Sequence, residues 1–413
     1  MSGLIGAVSS ALGYDNAAED AVSIVVNGAQ VFGWLRIDID QSVELMPWSA
    51  NFETAEQGSA NQITEIIKPG AIAQIYIGKT LMLTGYVMSV ERSGSSDGHL
   101  SRIEVRSKSI DLVDCAAEFT TYMVTNTSVF ALCQRVAKPF GIDVYQIDQA
   151  GNVDIGPFGI ILTEPGYEVI ERITRLAACL FYDRVDGNIT LAPVSTRLAA
   201  GSIAEGKDVE AYVILNSQSG RYSKITALLP APVLLTEAPD ADDLIQQLTN
   251  MTTGISPAID PGITRHRPML IPIEVGGQSL NGVVSDAQQV SQQRVLWECA
   301  RRYGRSQAVE ITVSRWRDDA GALWAPNTQV HVSLPSLSYA QTLSIVSVRF
   351  RRDESGTHAD LVLMPPQALA PEPIVNPFLN NATSVAVNDG QETGNYAPGA
   401  VQQEALGPVG SGS

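Results

Sequence analysis

Between residues 21 and 115, hairpin-like stretches follow one another, and the first alternates apolar and polar residues with a period of two, the spacing of strands that bury one face and wet the other. SIVV runs into Asn27-Gly28, the pair best suited to positive φ in a tight turn, and VFGWLRIDIDQSVEL follows, so residues 21–46 predict a hairpin. Within it Leu35, Ile37 and Ile39 fall on the buried face, and Arg36, Asp38 and Asp40 on the wet one. AIAQIYIG after Pro69-Gly70, LMLTGYVMSVERS, and SRIEVRSKS beyond the SGSSDG turn predict further strands. Residues 21–115 therefore read as a mostly antiparallel barrel or sandwich.

At Thr127 the period changes to 3.6. Val129, Leu132, Cys133, Val136, Ala137 and Phe140 share one helical face, Thr125 to Ser128 can cap it, and Pro139 and Gly141 stop it. A second helix, after Pro165-Gly166, carries Val169, Ile170, Ile173, Leu176, Ala177 and Leu180. With the short strands IDVYQI, FGIILT, CLFYDR and NITLAPV, residues 121–195 predict a small α/β module. β-structure returns in VEAYVILN and SKITALL, followed by a long loop of Pro, Asp and Thr residues from about Ala231 to Pro261. A third helix, capped by Ser285 and closed by Gly304, is expected to gather Val290, Trp297, Ala300 and Tyr303 on one face. AVEITVSRW, TQVHVSL, LSIVSVRFRR and ADLVLM complete a second set of strands, with Asp353 to Gly356 as the last hairpin turn. Composition predicts a frayed arm at residues 1–20 and an extended or disordered tail after Pro365.

A chain of 413 residues implies two to four domains. Its 44 acidic and 27 basic residues give a formal charge of -17, which opposes a grip on phosphate backbones and allows DNA only in passage. Cys115, Cys133, Cys179 and Cys299 are far apart and read as reduced core thiols made in a cytosol. The first residues lack the basic start of a secretory signal, and no run is long and apolar enough to predict a membrane span.

YDRVDGNITL places Asp183 and Asp186 before a glycine, but Val185, Gly187 and Val194 stand where a calcium loop needs ligands. A hairpin turning at Asp186-Gly187-Asn188 fits better, with Asp183 left wet. His99, His266, His331 and His358 sit in unrelated segments, and no P-loop, GxSxG or dinucleotide fingerprint occurs. No catalytic, cofactor-binding or metal residue is therefore nominated. Arg301, Arg302 and Arg305 close the third helix, where cations complement its dipole, and Arg351-Arg352 read as a wet strand end.

The order of segments is more telling than any one of them. GKTLMLTGYVMSVERS, RIEVRSKSIDLVD, LFYDRVDGNITL, RYSKITALLP, RHRPMLIPIE, QQRVLWECARRYGRS and SRWRDDAGALWAPNTQVHVSLP form a series that resembles the baseplate hub proteins of contractile, Mu-like phage tails. The series is also similar to the first part of type VI secretion spike proteins. Arg221-Tyr222-Ser223 and Arg265 to Pro268 match the family's strand entries around the long loop. Trp316, Gly321, Trp324 and Pro326-Asn327 match the turn-strand signature of its second barrel.

The resemblance implies an α+β, mostly β fold: two tube-like antiparallel β-barrel domains with a small α/β module between them. The corresponding division is an arm at 1–20, a first barrel at 21–120, the module at 121–200, a second barrel with one helix and the long loop at 201–368, and a tail at 369–413. It further implies a non-enzymatic homotrimer without cofactor, in which three chains build a pseudo-six-fold ring. Its partners would be the tail tube, the central spike, other baseplate proteins and the tape measure protein, within a virion baseplate assembled in the host cytoplasm and without a direct membrane anchor. The alternative is a tail-associated peptidoglycan-binding or cell-wall-degrading protein, but the chain shows no room for an inserted lysozyme-like block.

Overall fold

Asn27 and Gly28 both take positive φ, 51° and 79°, and turn β1 (Val22–Val26) into β2 (Ala29–Val31). In this computed structural model the described residues are 19–56, 66–95, 98–118, 123–124, 127–155, 158–228, 257–272 and 280–370. The first half continues with β3 (Arg36–Ser42), β4 (Ser49–Glu56), β5 (Ile72–Ile77), β6 (Thr80–Ser95) and β7 (Gly98–Ser107).

The middle segment holds α1 (Ile110–Asp114), β8 (Met123–Val124), β9 (Thr127–Ser128), α2 (Val129–Ala137), β10 (Val144–Gln146), β11 (Asp154–Ile155), β12 (Phe158–Gly159), α3 (Gly166–Leu176), β13 (Leu180–Asp183) and β14 (Ile189–Ala192). Ser128 Oγ accepts from Ala131 N to cap α2, and Gly141, at φ 66°, ends the 3-10 turn that follows it. The apolar faces of α2 and α3 meet the β10-β14-β13 sheet in a core of their own.

The last part comprises β15 (Leu198–Ala204), β16 (Val209–Ile214), β17 (Lys224–Leu228), β18 (Ala258–Ile259), β19 (Pro268–Pro272), α4 (Leu280–Arg305), β20 (Val309–Val313), β21 (Gln329–Leu334), β22 (Tyr339–Asp353) and β23 (Gly356–Met364). β18-β17-β19 form a small sheet under α4, with Ile225, Ala227, Ala258, Ile271 and Val295 as its core.

The fold is α+β and mostly β, as expected, but the two β halves are not separate. β22 joins them: its first residues pair with β21, its later residues pair with β3, and a bulge at Ile345/Ser347 lies near the changeover. The result is one thirteen-stranded sheet ordered β16-β20-β23-β22-β3-β4-β7-β6-β5-β1-β2, with β21 and β15 branching from β22. Val105, Ala50, Ile39, Phe350, Ala359 and Val313 stand side by side across it, each fully buried, so a single apolar row crosses the junction. Among the described residues no strand ladder closes either half into a barrel; β15 and β16, at the two ends of the second half, are joined by a short turn.

Several local expectations need correction. α4 begins at Leu280, not after a cap at Ser285, and Gly304 lies inside it. A Cβ on Gly304 would stand 2.7 Å from Ala368 N, so glycine serves close packing there and not termination. The buried side of α4 is Val295 and Glu298; Ala300 and Tyr303 are exposed, Trp297 is half-buried, and the side chain of Val290 lies outside the described residues. Leu35 is exposed and Asp38 buried, the reverse of simple alternation, because Asp38 faces arginines on its own and the neighbouring strand. Cys133 and Cys179 are buried and Cys299 half-buried, but Cys115 is exposed after α1. Only Phe158 and Gly159 of FGIILT form a strand. Part of the expected long loop is ordered, since β18 pairs with β17; residues 231–256 lie outside the described residues. Pro366–Leu369 form a 3-10 turn with Ala368 and Leu369 buried, so the tail as expected starts too early; residues 371–413, and 1–18 of the arm, lie outside the described residues.

Candidate assembly surface

Opposite the apolar row, charged side chains run in register across the same strands. Glu91, Arg102, Glu53 and Arg36 align across β6, β7, β4 and β3. Glu104, Asn51, Asp38 and Arg351 form a second row, and Arg106, Ser49, Asp40, Arg349, Asp360 and Thr312 a third that reaches β20. A shallow depression of about 260 Å³ opens between Arg36, Asp38, Glu53, Glu91, Arg102 and Glu104.

Alternation of sign along and between rows engages these cations locally. Arg349 Nη2 lies 2.8 Å from Asp38 Oδ1 and its Nε 3.7 Å from Asp40, while Arg36 Nε is 3.0 Å from Asp38 Oδ2. Arg102 meets Glu53 at 2.8 Å, and Arg351 lies 3.2 Å from Asp353 and 3.4 Å from Asp360. Burial raises the Asp40 carboxyl above its ordinary range, with Arg349 opposing. Burial by itself would lower Arg349, but Asp38 and Asp40 hold it above its usual value. The outcome is a polar, nearly neutral sheet face crossing the junction between halves. Arg351 and Arg352 are not a wet strand end: both are half-buried, and Arg352 lies over the Trp316 ring, 4.7 Å from its centroid.

The residues singled out from sequence gather at two joints. Arg221, buried, forks onto Asp260 with contacts of 2.8 and 2.7 Å; the hydrogen bond holds Asp260 below, and Arg221 above, their ordinary values. Tyr222 is flanked by Arg302 and Arg267, and Ser223 Oγ accepts from Arg267 N. Arg265 is exposed, as is Pro268 at the start of β19, where it pairs with Lys224. At the second joint Trp316 and Trp324 are buried, donating through Nε1 to the carbonyls of His358 and Arg315. Gly321 turns the chain at φ 80°, and buried Pro326 precedes Asn327. Asn327 Oδ1 accepts from Ser195 N at 2.9 Å, and Nδ2 donates to Pro193 O at 3.0 Å and Tyr182 Oη at 3.2 Å. Apart from exposed Arg265, these groups brace connections, and among the described residues they share no common reactive centre.

Asp183 overturns its expected wet position. It is 1% exposed, accepts from Trp48 N at 2.7 Å and Ser107 Oγ at 2.5 Å, and burial raises its pKa against those bonds and one from Ser109. It ties β13 to the β3–β4 connection and the end of β7, while Asp186-Gly187-Asn188 makes the expected turn. Spacing alone concealed this role, because all of its donors lie far away in sequence.

His358 has a second arrangement invisible in sequence: Nδ1 is 2.6 Å from Glu210 and Nε2 is 3.0 Å from Ser355 Oγ. The order acid, imidazole, hydroxyl resembles a hydrolytic triad. Yet Ser355 Oγ and Ser355 N both donate to Asp353 Oδ1 in the β22–β23 turn, so the hydroxyl proton is directed away from the imidazole. Glu210 and Ser355 together hold the ring between β16 and the β22–β23 turn. Among the described residues no group of three or more His, Cys, Asp or Glu side chains is placed to hold a metal ion.

Three stretches match families described for one kind of machine. Residues 21–107 match the N-terminal domain of Mu phage baseplate assembly protein GpP-like proteins, 109–193 the second domain of baseplate hub protein gp44-like proteins, and 287–372 the fourth domain of Mu phage baseplate assembly protein GpP. The chain carries baseplate domains of the GpP and gp44-like kinds. The hub chain is 23% identical over 350 residues to baseplate hub protein gp44 of Escherichia phage Mu, covering 84% of this chain and 88% of that one. The 43 kDa tail protein of prophage MuSo2 from Shewanella oneidensis is 26% identical with a TM-score of 0.69, over 85% of this chain and 99% of its own. A tail protein from Neisseria meningitidis MC58 shares the fold at 20% identity and a TM-score of 0.66, over 85% and 98% of the two chains. The chain is thus a baseplate hub protein of the Mu-like phage tail. Two of the three matched stretches lie in the β halves that β22 joins, and the other spans the module anchored through Asp183.

Proposed function

We propose that this hub works by geometry: three copies form a pseudo-six-fold ring joining the six-fold tail tube to the three-fold central spike, with DNA passing and not gripped. The observation that supports the reading is the β3–β22 ladder, which joins two hairpin-rich halves in one sheet; in this reading each half offers one tube-like surface. Three chains then offer six such surfaces. The near-neutral charged face suits a lining that contacts a polyanion without retaining it. We assign the domains as 1–20, 21–120, 121–200 and 201–370, with the tail from 371, and the bracing role to Arg221, Tyr222, Ser223, Arg265, Pro268, Trp316, Gly321, Trp324, Pro326 and Asn327.

In this reading the hub is not an enzyme, binds no cofactor, and resides in the virion baseplate after assembly in the host cytoplasm. Its partners are the spike, the tube, neighbouring baseplate proteins and the tape measure protein. No helix among the described residues is long and apolar enough to cross a membrane. The test is the mass of the purified full chain in solution, alone and mixed with its spike protein. A trimer with spike supports the ring; a chain that stays monomeric with spike present refutes it.

A further inference from the structure

The end of α4 collects cations from two helices. Trp297 lies between Arg294 and Arg301, whose guanidinium carbons are 5.1 and 5.2 Å from its ring centroid. Arg305 pairs with Glu44 of the β3–β4 connection, and Arg175 of α3 pairs with Glu171. Burial pushes both Arg294 and Arg301 below the usual guanidinium value; Glu298 opposes this at Arg294 against Arg175 and Arg302, while at Arg301 the repulsion of Arg305 is opposed by Glu44 and Glu298, with Arg175 adding to it. Arg302 and Arg294 both pair with Glu298, the latter at 3.9 Å, so among the described residues the guanidiniums of Arg175, Arg294, Arg301, Arg302 and Arg305 meet the carboxylates of Glu44, Glu171 and Glu298 in a chain of charge -17. The Nε of Arg301 is buried without a hydrogen-bond partner among the described residues.

The chain's own acidic end departs from this place. Pro366–Leu369 packs on α4 through the Gly304–Ala368 contact, and Trp297 Nε1 donates to Ala370 O at 3.0 Å. Residues 371–413 contain Glu372, Asp389, Glu392 and Glu404 and neither Lys nor Arg. Glu372 follows Ala370 by two residues, a backbone reach of at most about 7 Å. Pro371 and Pro373 flank it, which lowers the entropy lost on ordering this stretch.

We propose that the arginine–tryptophan cluster at the end of α4 is a docking surface for the acidic C-terminal segment of the same chain, with Glu372 facing the Arg294–Trp297–Arg301 stack. The carboxylate relieves the repulsion among guanidiniums from α3 and α4, and the partial exposure of the site makes the contact salt-sensitive. This proposal concerns one chain and stands whether or not three chains form a ring.

A photoreactive benzoylphenylalanine in place of Ile374 of the full chain tests it. The expected crosslinks fall within residues 294–305 or beside Arg175, in a product of single-chain mass. They should drop several-fold in Glu372→Gln and at about 0.5 M salt, where screening reduces the Debye length to a few ångströms. Crosslinks to a second chain, crosslinks elsewhere in the fold, or yields indifferent to Glu372→Gln overturn it. Hydrogen exchange gives an independent reading without the photoreactive residue: full-length Glu372→Lys should exchange faster than the natural chain across 294–305, and equal exchange also overturns the proposal.

Discussion

Arg349 Nη2 contacts Asp38 Oδ1 at 2.8 Å, on the very strands through which the two β halves become one sheet. Asp38 is 6% exposed, whereas nearly half of the Arg349 side chain meets solvent. The carboxylate therefore relies on its arginines more than they rely on it. A double-mutant cycle with Asp38→Ala and Arg349→Ala in urea denaturation should give a coupling of about 1–2 kcal/mol. The same cycle on the open Arg102–Glu53 pair should give roughly 0.5 kcal/mol; equal couplings would show that burial of Asp38 adds nothing.

Asp183 and Asp260 should contribute to stability with opposite pH dependence. Burial raises the folded pKa of Asp183 above 3.8, so the folded state holds a proton that the unfolded state releases. Stability from this group grows as pH falls from above its folded value towards 3.8. The Arg221 hydrogen bond lowers Asp260 below 3.8, so its contribution is present above 3.8 and is lost as pH falls through the folded value. Denaturation midpoints of Asp183→Asn and Asp260→Asn against the natural chain should diverge in opposite directions on acidification; parallel curves would contradict the assignment.

Gly304→Ala gives a direct test of the α4–tail packing. Alanine in an exposed helix would gain about 1 kcal/mol, but here its Cβ meets Ala368 N at 2.7 Å. The clash should reverse the sign to a net loss of about 1–3 kcal/mol and increase protease cutting near Ala370. A rise in melting temperature would show that residues 366–370 do not pack here.

Asn327 separates backbone from side-chain effects. Its φ of 55° favours Asn or Gly, while its amide bridges Ser195, Pro193 and Tyr182. Asn327→Gly keeps the backbone and loses only the bridges, costing about 1–2 kcal/mol, whereas Asn327→Ala adds left-handed strain of about 1 kcal/mol. Thermal denaturation should rank alanine below glycine.

The β1–β2 turn, the strands β5, β22 and β23, and the α2 cap were legible because a turn, a strand and a cap each depend on residues within a few positions. The same local reasoning failed at Asp183, Asp38 and Gly304. Nothing near YDRVDG announces Trp48 and Ser107, nothing in RIDID announces Arg349, and a glycine near a helix end looks like a terminator until Ala368 is placed against it. The candidate residues at 221–223 and 316–327 were legible as types, while their partners Asp260, His358 and Ser195 were not.

Sequence by itself therefore determined the class of fold, the order of elements and the family series, since periodicity and turn chemistry act over short distances. Only the tertiary structure decided that β22 fuses the two halves, that charged rows lie back to back with one apolar row, and which carboxylates are buried. Those outcomes depend on which distant strand supplies the neighbouring edge. Period two says that a side chain points to one face, but the charge or ring waiting on that face is set by pairing between distant residues, as far apart as Ile37 and Arg352.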